Sequence, residues 1–403
     1  MTSALEPYSF NATTFPQSSV NITTLSPSSV HTAFPPLSLA FTAPEEITIT
    51  SDYYNNEEVE EVDDGTRAAL HGFTMFIYFV AFFLGVTGNG LVIWITGFKM
   101  KRTVNTVWFL NLAVADFIFT FFLPLSISYI ALGFHWPFGN FLCKLNSTVA
   151  FLNMFASIFF LMVISIDRCI SVAMPVWSQN HRTPRLAIFI ALAVWAAALI
   201  VSLPYFIFRT TDVLEPNGTV INCYNNFGFP DDDVSEEAYE EAYAVWVRRY
   251  SAVIWARFVI GFFLPFSVIV ICYFSIAIRL SRNHLATSSK PFKIIIAVIV
   301  CFFICWFPYH VFSFLELSAN ARGDQIGKLL SIGVPITSSL AFINSCVNPI
   351  LYVFVGRDFK EKFRTSILAV LENAFTEEAS QATNNTAMKS KSSSMAESQI
   401  RDP

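Results

Sequence analysis

The chain has 403 residues, of which 54% are hydrophobic and only 14% charged, with a formal net charge of −5. A soluble domain carries about a quarter charged residues, so composition alone argues against a single soluble domain. An acidic, charge-poor chain also gives no reason to expect a nucleic-acid partner.

The deficit of charge is uneven. Residues 1–70 and 371–403 are polar, and between them apolar runs near the ~20 residues that span a bilayer recur at 72–98, 106–132, 141–166, 185–208, 252–278, 292–315 and 329–355. Seven spans put the two ends on opposite sides. The start, "MTSALEPYSF", has neither the basic opening nor the apolar core of a cleavable signal, so the first span is expected to act as the insertion signal. One set of loops carries Lys99, Lys101, Arg102, Arg182, Arg185, Arg279, Arg282, Lys290 and Lys293. The positive-inside rule makes that side cytoplasmic and predicts an extracellular N-terminus in the plasma membrane.

In chain order, residues 1–70 read as an extracellular, disordered, acidic tail. Its glycosylation sequons are Asn11 and Asn21, and Asn217 in the loop after span four is a third. Sequons also arise by chance, as Asn384 on the cytoplasmic side shows. The block "SDYYNNEEVEEVDDG" and its counterpart "PDDDVSEEAYEEAY" read as solvated acidic segments that would steer a basic partner. Tyr53 and Tyr54 beside acids are sulfation candidates. Cys143 and Cys223 face an oxidising compartment and are expected to be bonded; Cys169, Cys272, Cys301, Cys305 and Cys346 read as small apolar residues in or beside spans.

Asp116 falls near the middle of span two, where an ionised carboxylate costs at least ~2.5–3.5 kcal/mol unless paired or hydrated. Asn89, Asn153, Ser157, Asn344 and Ser345 offer polar atoms around it. Arg168 follows Cys143 by twenty-five residues, about 37 Å of helix, so Asp167-Arg168 emerges at the cytoplasmic interface. Alone, that pair reads as an interfacial anchor. Arg257, in "WARFVIGFFLPF", lies about 12 Å outward of Pro265. At that depth it reads either as a site for a ligand carboxylate, such as a peptide C-terminus, or as half of an internal salt bridge with Glu316. Pro308 removes a backbone bond and bends span six, with Phe302 and Trp306 on one face of the same helix. "GRDFKEKFRTSILAVL" (within 357–371) reads as a short amphipathic eighth helix on the membrane surface, and 372–403 as a Ser/Thr-rich cytoplasmic tail open to phosphorylation.

Taken one per helix, Asn89, Asp116, Asp167-Arg168, Trp195, Pro265, "CWFP" at 305–308 and "NPILY" at 348–352 resemble the rhodopsin-like (class A) G-protein-coupled receptors over roughly residues 75–365. The fold expected is therefore an all-α membrane protein, a seven-transmembrane helix bundle over 71–356 with the short eighth helix. The resemblance implies that Asp116, Asn153, Ser157, Asn344 and Ser345 hold an allosteric sodium ion favouring the resting state; a protonated Asp116 in a hydrogen-bonded network is the alternative. It implies no other cofactor and no metal. It further implies that Asp167 holds Arg168 at rest, and that Arg168 extends on activation toward Tyr273 and Tyr352 to meet a heterotrimeric G protein. Phe302, Trp306, Pro308, Asn348 and Pro349 would form the switch, with Ile158 and Pro265 repacking. Residues 279–293 contain no Asp or Glu, so an acidic brace on span six is missing and raised basal activity is expected.

"KMKRTVNTVWFLNLAVADFIF", "DRC", "PVWSQNHR", "KPFKIII" and "NSCVNPILYVFVGRDFKEKF" narrow the resemblance to the chemoattractant group, which includes formyl-peptide, anaphylatoxin and chemerin receptors; the chemerin receptors are its nearest resemblance. That implies a basic peptide or protein ligand with an anionic end, arrestin and membrane-lipid partners, inhibitory G proteins, and a role in leukocyte chemotaxis and inflammation. A formyl-peptide or anaphylatoxin receptor, or a non-signalling decoy of the same fold, is the alternative. Span three lacks the acid of amine receptors, no lysine lies between Lys328 and Lys360 for retinal, and residues 1–70 and 316–328 lack the cysteines of a second outer disulfide. No nucleophile-base or metal-ligand cluster suggests an enzyme.

Overall fold

A backbone in hydrocarbon must satisfy its own N–H and C=O groups, and the apolar runs do so as helices. The computed structural model describes residues 63–214, 220–228, 235–283, 290–322 and 326–355, with backbone alone at 214, 280–283, 290–294, 319–322 and 351–355. Among the described residues, seven helices are long and apolar enough to cross a membrane: Asp64–Lys99, Val104–Ala131, Gly139–Ala173, Pro184–Ile207, Glu236–Arg279, Ile295–Ser318 and Gly327–Ile350. They are called spans one to seven below. Asn11, Asn21, Tyr53, Tyr54, Asn217, the expected eighth helix and the Ser/Thr-rich tail lie outside the described residues, as does the side chain of Tyr352.

Span three is the central column. Its apolar window is 78% buried, against 28% in spans one and four, because Met154, Phe155, Ile158 and Phe160 meet neighbours on every side. The outer ring turns large apolar side chains outward instead, among them Phe76, Phe83, Phe189, Ile200, Phe274 and Ile304. That is the arrangement expected when hydrocarbon, not water, is the solvent. Spans six and seven pack so closely at Gly333 that an added Cβ would stand 1.8 Å from the Phe312 ring.

Two spans run further than their apolar patterns. Span one starts at Asp64 because the Asp63 carboxylate accepts from the Thr66 N–H at 2.9 Å and caps the first turn. The same hydrogen bonds hold the Asp63 carboxyl below the usual range. Span five starts at Glu236, not near 252: Ser235 caps it, Glu236 and Glu237 sit in its first turn, and Tyr239, Tyr243, Trp246 and Tyr250 stack along one face. The second half of the acidic block expected to be solvated is therefore helix, held by an aromatic ladder.

A hairpin adds the strands β1 (Arg209–Leu214) and β2 (Val220–Asn225), antiparallel with Thr211 opposite Cys223. Cys143 and Cys223 are disulfide-bonded across 80 residues, as the sequence leads one to expect. Trp136 N–H donates to Ile221 O at 2.8 Å and Tyr129 donates to Asn222, so the hairpin is fixed to the turn after span two as well as to the outer end of span three.

Candidate functional site

Three clusters of buried polar groups lie along the bundle axis. Outermost is Arg257. Between it and Pro265 the helix widens into a π-turn over Val259–Phe263. The extra residue of such a turn rotates everything beyond it by roughly 100°. Arg257 is 2% exposed. It donates from Nη1 to the Tyr309 hydroxyl at 2.7 Å and from Nη2 to Ser313 Oγ at 3.1 Å. Its guanidinium carbon also stands 4.9 Å from the Tyr309 ring and 5.5 Å from Phe151. Among the described residues no carboxylate pairs with it.

Glu316 is 1% exposed, yet neither of its carboxylate oxygens has a hydrogen-bond partner. The Tyr250 hydroxyl faces it without reaching hydrogen-bond geometry. The internal salt bridge left open by the sequence is thus not formed. Arg257, held by neutral acceptors, and Glu316, without a donor, thus lie in one buried region with opposite charges that do not meet in an ion pair.

A separate cavity of about 630 Å3, counted with its solvent-open part, lies under the hairpin among spans one, two, three and seven, lined by Tyr78, Ser126, Tyr129, Asn146, Arg209 and Ser338 among others. Arg209 is 1% exposed and donates from Nη2 to Cys223 O at 2.6 Å. Burial lowers its guanidinium to about 10.

The middle cluster centres on Asp116, fully buried, whose Oδ2 accepts from Asn348 Nδ2 at 2.8 Å. Asn153 Nδ2 donates to Ser345 Oγ at 2.8 Å, Ser157 Oγ to Asn153 Oδ1 at 3.3 Å, and Asn89 Nδ2 to Ser345 O at 2.9 Å. Asp116 Oδ1, Asn344 Oδ1, Asn348 Oδ1 and Asn89 Oδ1 are buried without donors. One carboxylate with several unsatisfied neutral oxygens suits a hard cation. Of the residues the sequence placed around Asp116, Asn344 and Asn89 present such oxygens beside it, and Asn348 joins them; Asn153, Ser157 and Ser345 are bonded to one another.

Between these clusters run aromatic rings. Tyr309 stands edge-on to Trp306 at 5.5 Å, and Trp306 lies 5.9 Å from Phe302. Phe302 is 1% exposed and Ile158 fully buried. One packed column thus runs from the Arg257 hydroxyl partner past Pro308, inside the same helix, to Phe302.

At the inner end, Asp167 and Arg168 sit near the foot of span three, with Arg168 Nη2 3.8 Å from Asp167 Oδ2. The closer partner of Asp167 is Arg182, at 2.7 Å from Nε and 2.9 Å from Nη2. Arg168 and Arg182 both donate to Asn105 Oδ1. The Tyr273 hydroxyl is buried nearby without a partner.

Sequence reading missed Tyr309, Ser313 and Tyr250 at the outer cluster, Arg209 in the hairpin, and Arg182 and Asn105 at the inner end. Arg182 stood out only as one of the basic residues between spans, and nothing in Arg209 or Asn105 pointed to these partners.

Comparison with known proteins follows the same lines. Residues 88–352 match the family described as "7 transmembrane receptor (rhodopsin family)". Chemerin-like receptor 1 of Sus scrofa is 45% identical over 334 residues, 83% of this chain and 90% of the relative. The Homo sapiens protein of that name is 47% identical over 307 residues, 76% and 80% of the two chains. Chemerin-like receptor 2 of Rattus norvegicus is 41% identical over 326 residues, 81% and 87%.

Proposed function

Because the chain belongs to the rhodopsin family of seven-transmembrane receptors, as a multi-pass plasma-membrane receptor of the chemerin-like type and not an enzyme, we propose that it signals the presence of a chemerin-like peptide or protein through inhibitory heterotrimeric G proteins. Its N-terminus is extracellular, and its output is leukocyte chemotaxis and inflammation. The observation that carries this reading is Arg257, a buried cation without a carboxylate, hydrogen-bonded to a tyrosine that packs on Trp306.

The ligand brings an anionic end to Arg257, and Glu316 takes a donor or cation from the same ligand. Binding at Arg257 pulls on Tyr309, shifts Trp306 and Phe302 against Ile158, and lets span six swing about Pro308. Arg168 then meets the G protein beside Tyr273 and Tyr352. Asn348 and Pro349 carry the change across span seven. Asp116, Asn153, Ser157, Asn344 and Ser345 would hold a sodium ion, whose charge would neutralise the Asp116 carboxylate and favour the resting packing. Arrestin follows phosphorylation of the C-terminal tail, and membrane lipid supports the amphipathic segment at 357–371. Support for the ligand class comes from the names of the relatives and from the acidic first turns of span five, Glu236, Glu237, Glu240 and Glu241, which steer a basic body.

The test is a cyclic AMP and calcium assay in cells expressing the chain, challenged with chemerin, formyl peptides and anaphylatoxins. A response to chemerin alone supports the reading. A response to one of the others reassigns the ligand, and ligand uptake without either signal makes the chain a decoy.

A further inference from the structure

Asp167 is gripped by Arg182, the residue that closes the short helix Pro175–His181 between spans three and four. The grip is a fork: Nε to Oδ1 at 2.7 Å and Nη2 to Oδ2 at 2.9 Å. Two parallel charge-assisted bonds are the strongest pairing a carboxylate makes with arginine. Arg168, next in sequence to Asp167, comes no nearer than 3.8 Å, beyond hydrogen-bond reach. Arg168 instead donates to Asn105 Oδ1, a neutral acceptor that it shares with Arg182. Its Nε is buried and unpartnered.

We propose that Arg182 is a positioning residue that keeps Asp167 occupied, so that Arg168 stays available for the G protein. This rests on the reading of Arg168 as the coupling residue. The sign follows from the geometry. A lone acid beside Arg168 would hold it at rest, and Arg168 would have to break an ion pair in order to extend. With the acid already claimed, Arg168 gives up one bond to a neutral oxygen and only a long 3.8 Å ion pair that has no hydrogen bond. That bond leaves Asn105 with a second donor in place, since Arg182 Nη2 remains 2.6 Å from the same oxygen. The two guanidiniums also repel, which disfavours a close resting position for Arg168. Removing the Arg182 charge releases Asp167, and its nearest remaining cation is Arg168. Arg182 therefore promotes coupling, the reverse of what a resting brace would do.

The test uses the full chain purified into nanodiscs with an inhibitory heterotrimer and follows guanine-nucleotide exchange. R182Q is expected to slow exchange by roughly threefold, the size of effect of one part-exposed ion pair. R182K is expected to recover part of the rate, because ammonium supplies the charge without the fork. D167N combined with R182Q is expected to restore it, because no acid remains to capture Arg168. Because D167N by itself also frees Arg168, the double variant is compared with D167N: adding R182Q is expected to change nothing there, whereas loss of a tether that only shapes the loop would still slow exchange. Exchange in R182Q at or above wild type, or no recovery in the double variant, overturns the proposal. Arginine side-chain 15N–1H NMR reads the pairing without any G protein: in R182Q the Arg168 guanidinium signals are expected to shift and its rotation to slow. If wild type drives no exchange, the coupling reading has failed; unchanged Arg168 signals overturn the re-pairing itself.

Discussion

Arg257 Nη1 and the Tyr309 hydroxyl are joined at 2.7 Å, and the Tyr309 ring meets Trp306 edge-on at 5.5 Å. A charge placed on the outer side of this pair therefore has a short packed path to the bend in span six.

Arg257→Ala is expected to lower peptide potency by about tenfold or more, since a charged hydrogen bond contributes ~1.5–3 kcal/mol. Arg257→Lys is expected to fall between, keeping the charge but losing the fork. Amidating the peptide's C-terminus should cost wild type the same factor and cost the alanine variant little more. Dose-response curves for the three receptors and two peptides check this; an undiminished response in Arg257→Ala contradicts it.

Glu316 is buried with both carboxylate oxygens unpartnered. Glu316→Gln is therefore expected to leave thermal stability unchanged or raise it, because a buried group without partners costs free energy. Peptide potency is expected to fall in the same variant. A lower unfolding temperature would show that Glu316 is paired in the folded state after all.

The polar cluster around Asp116 predicts a sodium response. Raising sodium at constant ionic strength, with N-methylglucamine as the balance, is expected to raise the unfolding temperature of the ligand-free receptor and to weaken agonist binding. Asp116→Asn should remove both effects. Equal sodium sensitivity in wild type and variant contradicts the assignment.

The Cys143–Cys223 bond closes 80 residues and anchors the hairpin. Replacing both cysteines with serine is expected to destabilise the outer end by ~2–4 kcal/mol, read as a lower unfolding temperature and reduced surface display.

Much of this was legible in the sequence for physical reasons. The seven spans follow from hydropathy, because the bilayer selects on it, and the disulfide from two cysteines placed outside the apolar stretches. The Asp116 cluster could be read because a mid-span carboxylate has to be explained. The outward extension of span five could not be read from hydropathy: Tyr239, Tyr243, Trp246 and Tyr250 recur at helical spacing, but Glu236, Glu237, Glu240 and Glu241 between them look like a solvated run. The hairpin went unread although its signals are present, since Thr210, Thr211, Val213, Val220 and Ile221 flank Pro216-Asn217-Gly218. The grip of Arg182 on Asp167 depends on how the short inner helix folds back, which neither charge nor periodicity encodes.

The most direct test of the whole account is nucleotide exchange on an inhibitory heterotrimer by the receptor in nanodiscs, as a chemerin-derived C-terminal peptide is added. The free-acid peptide is expected to accelerate exchange, the amidated peptide to do so only weakly, and Arg168→Ala to abolish the response while binding persists. Equal acceleration by the two peptides, or binding to wild type with no acceleration, would contradict the claim that an anion seated at Arg257 sets Arg168 free.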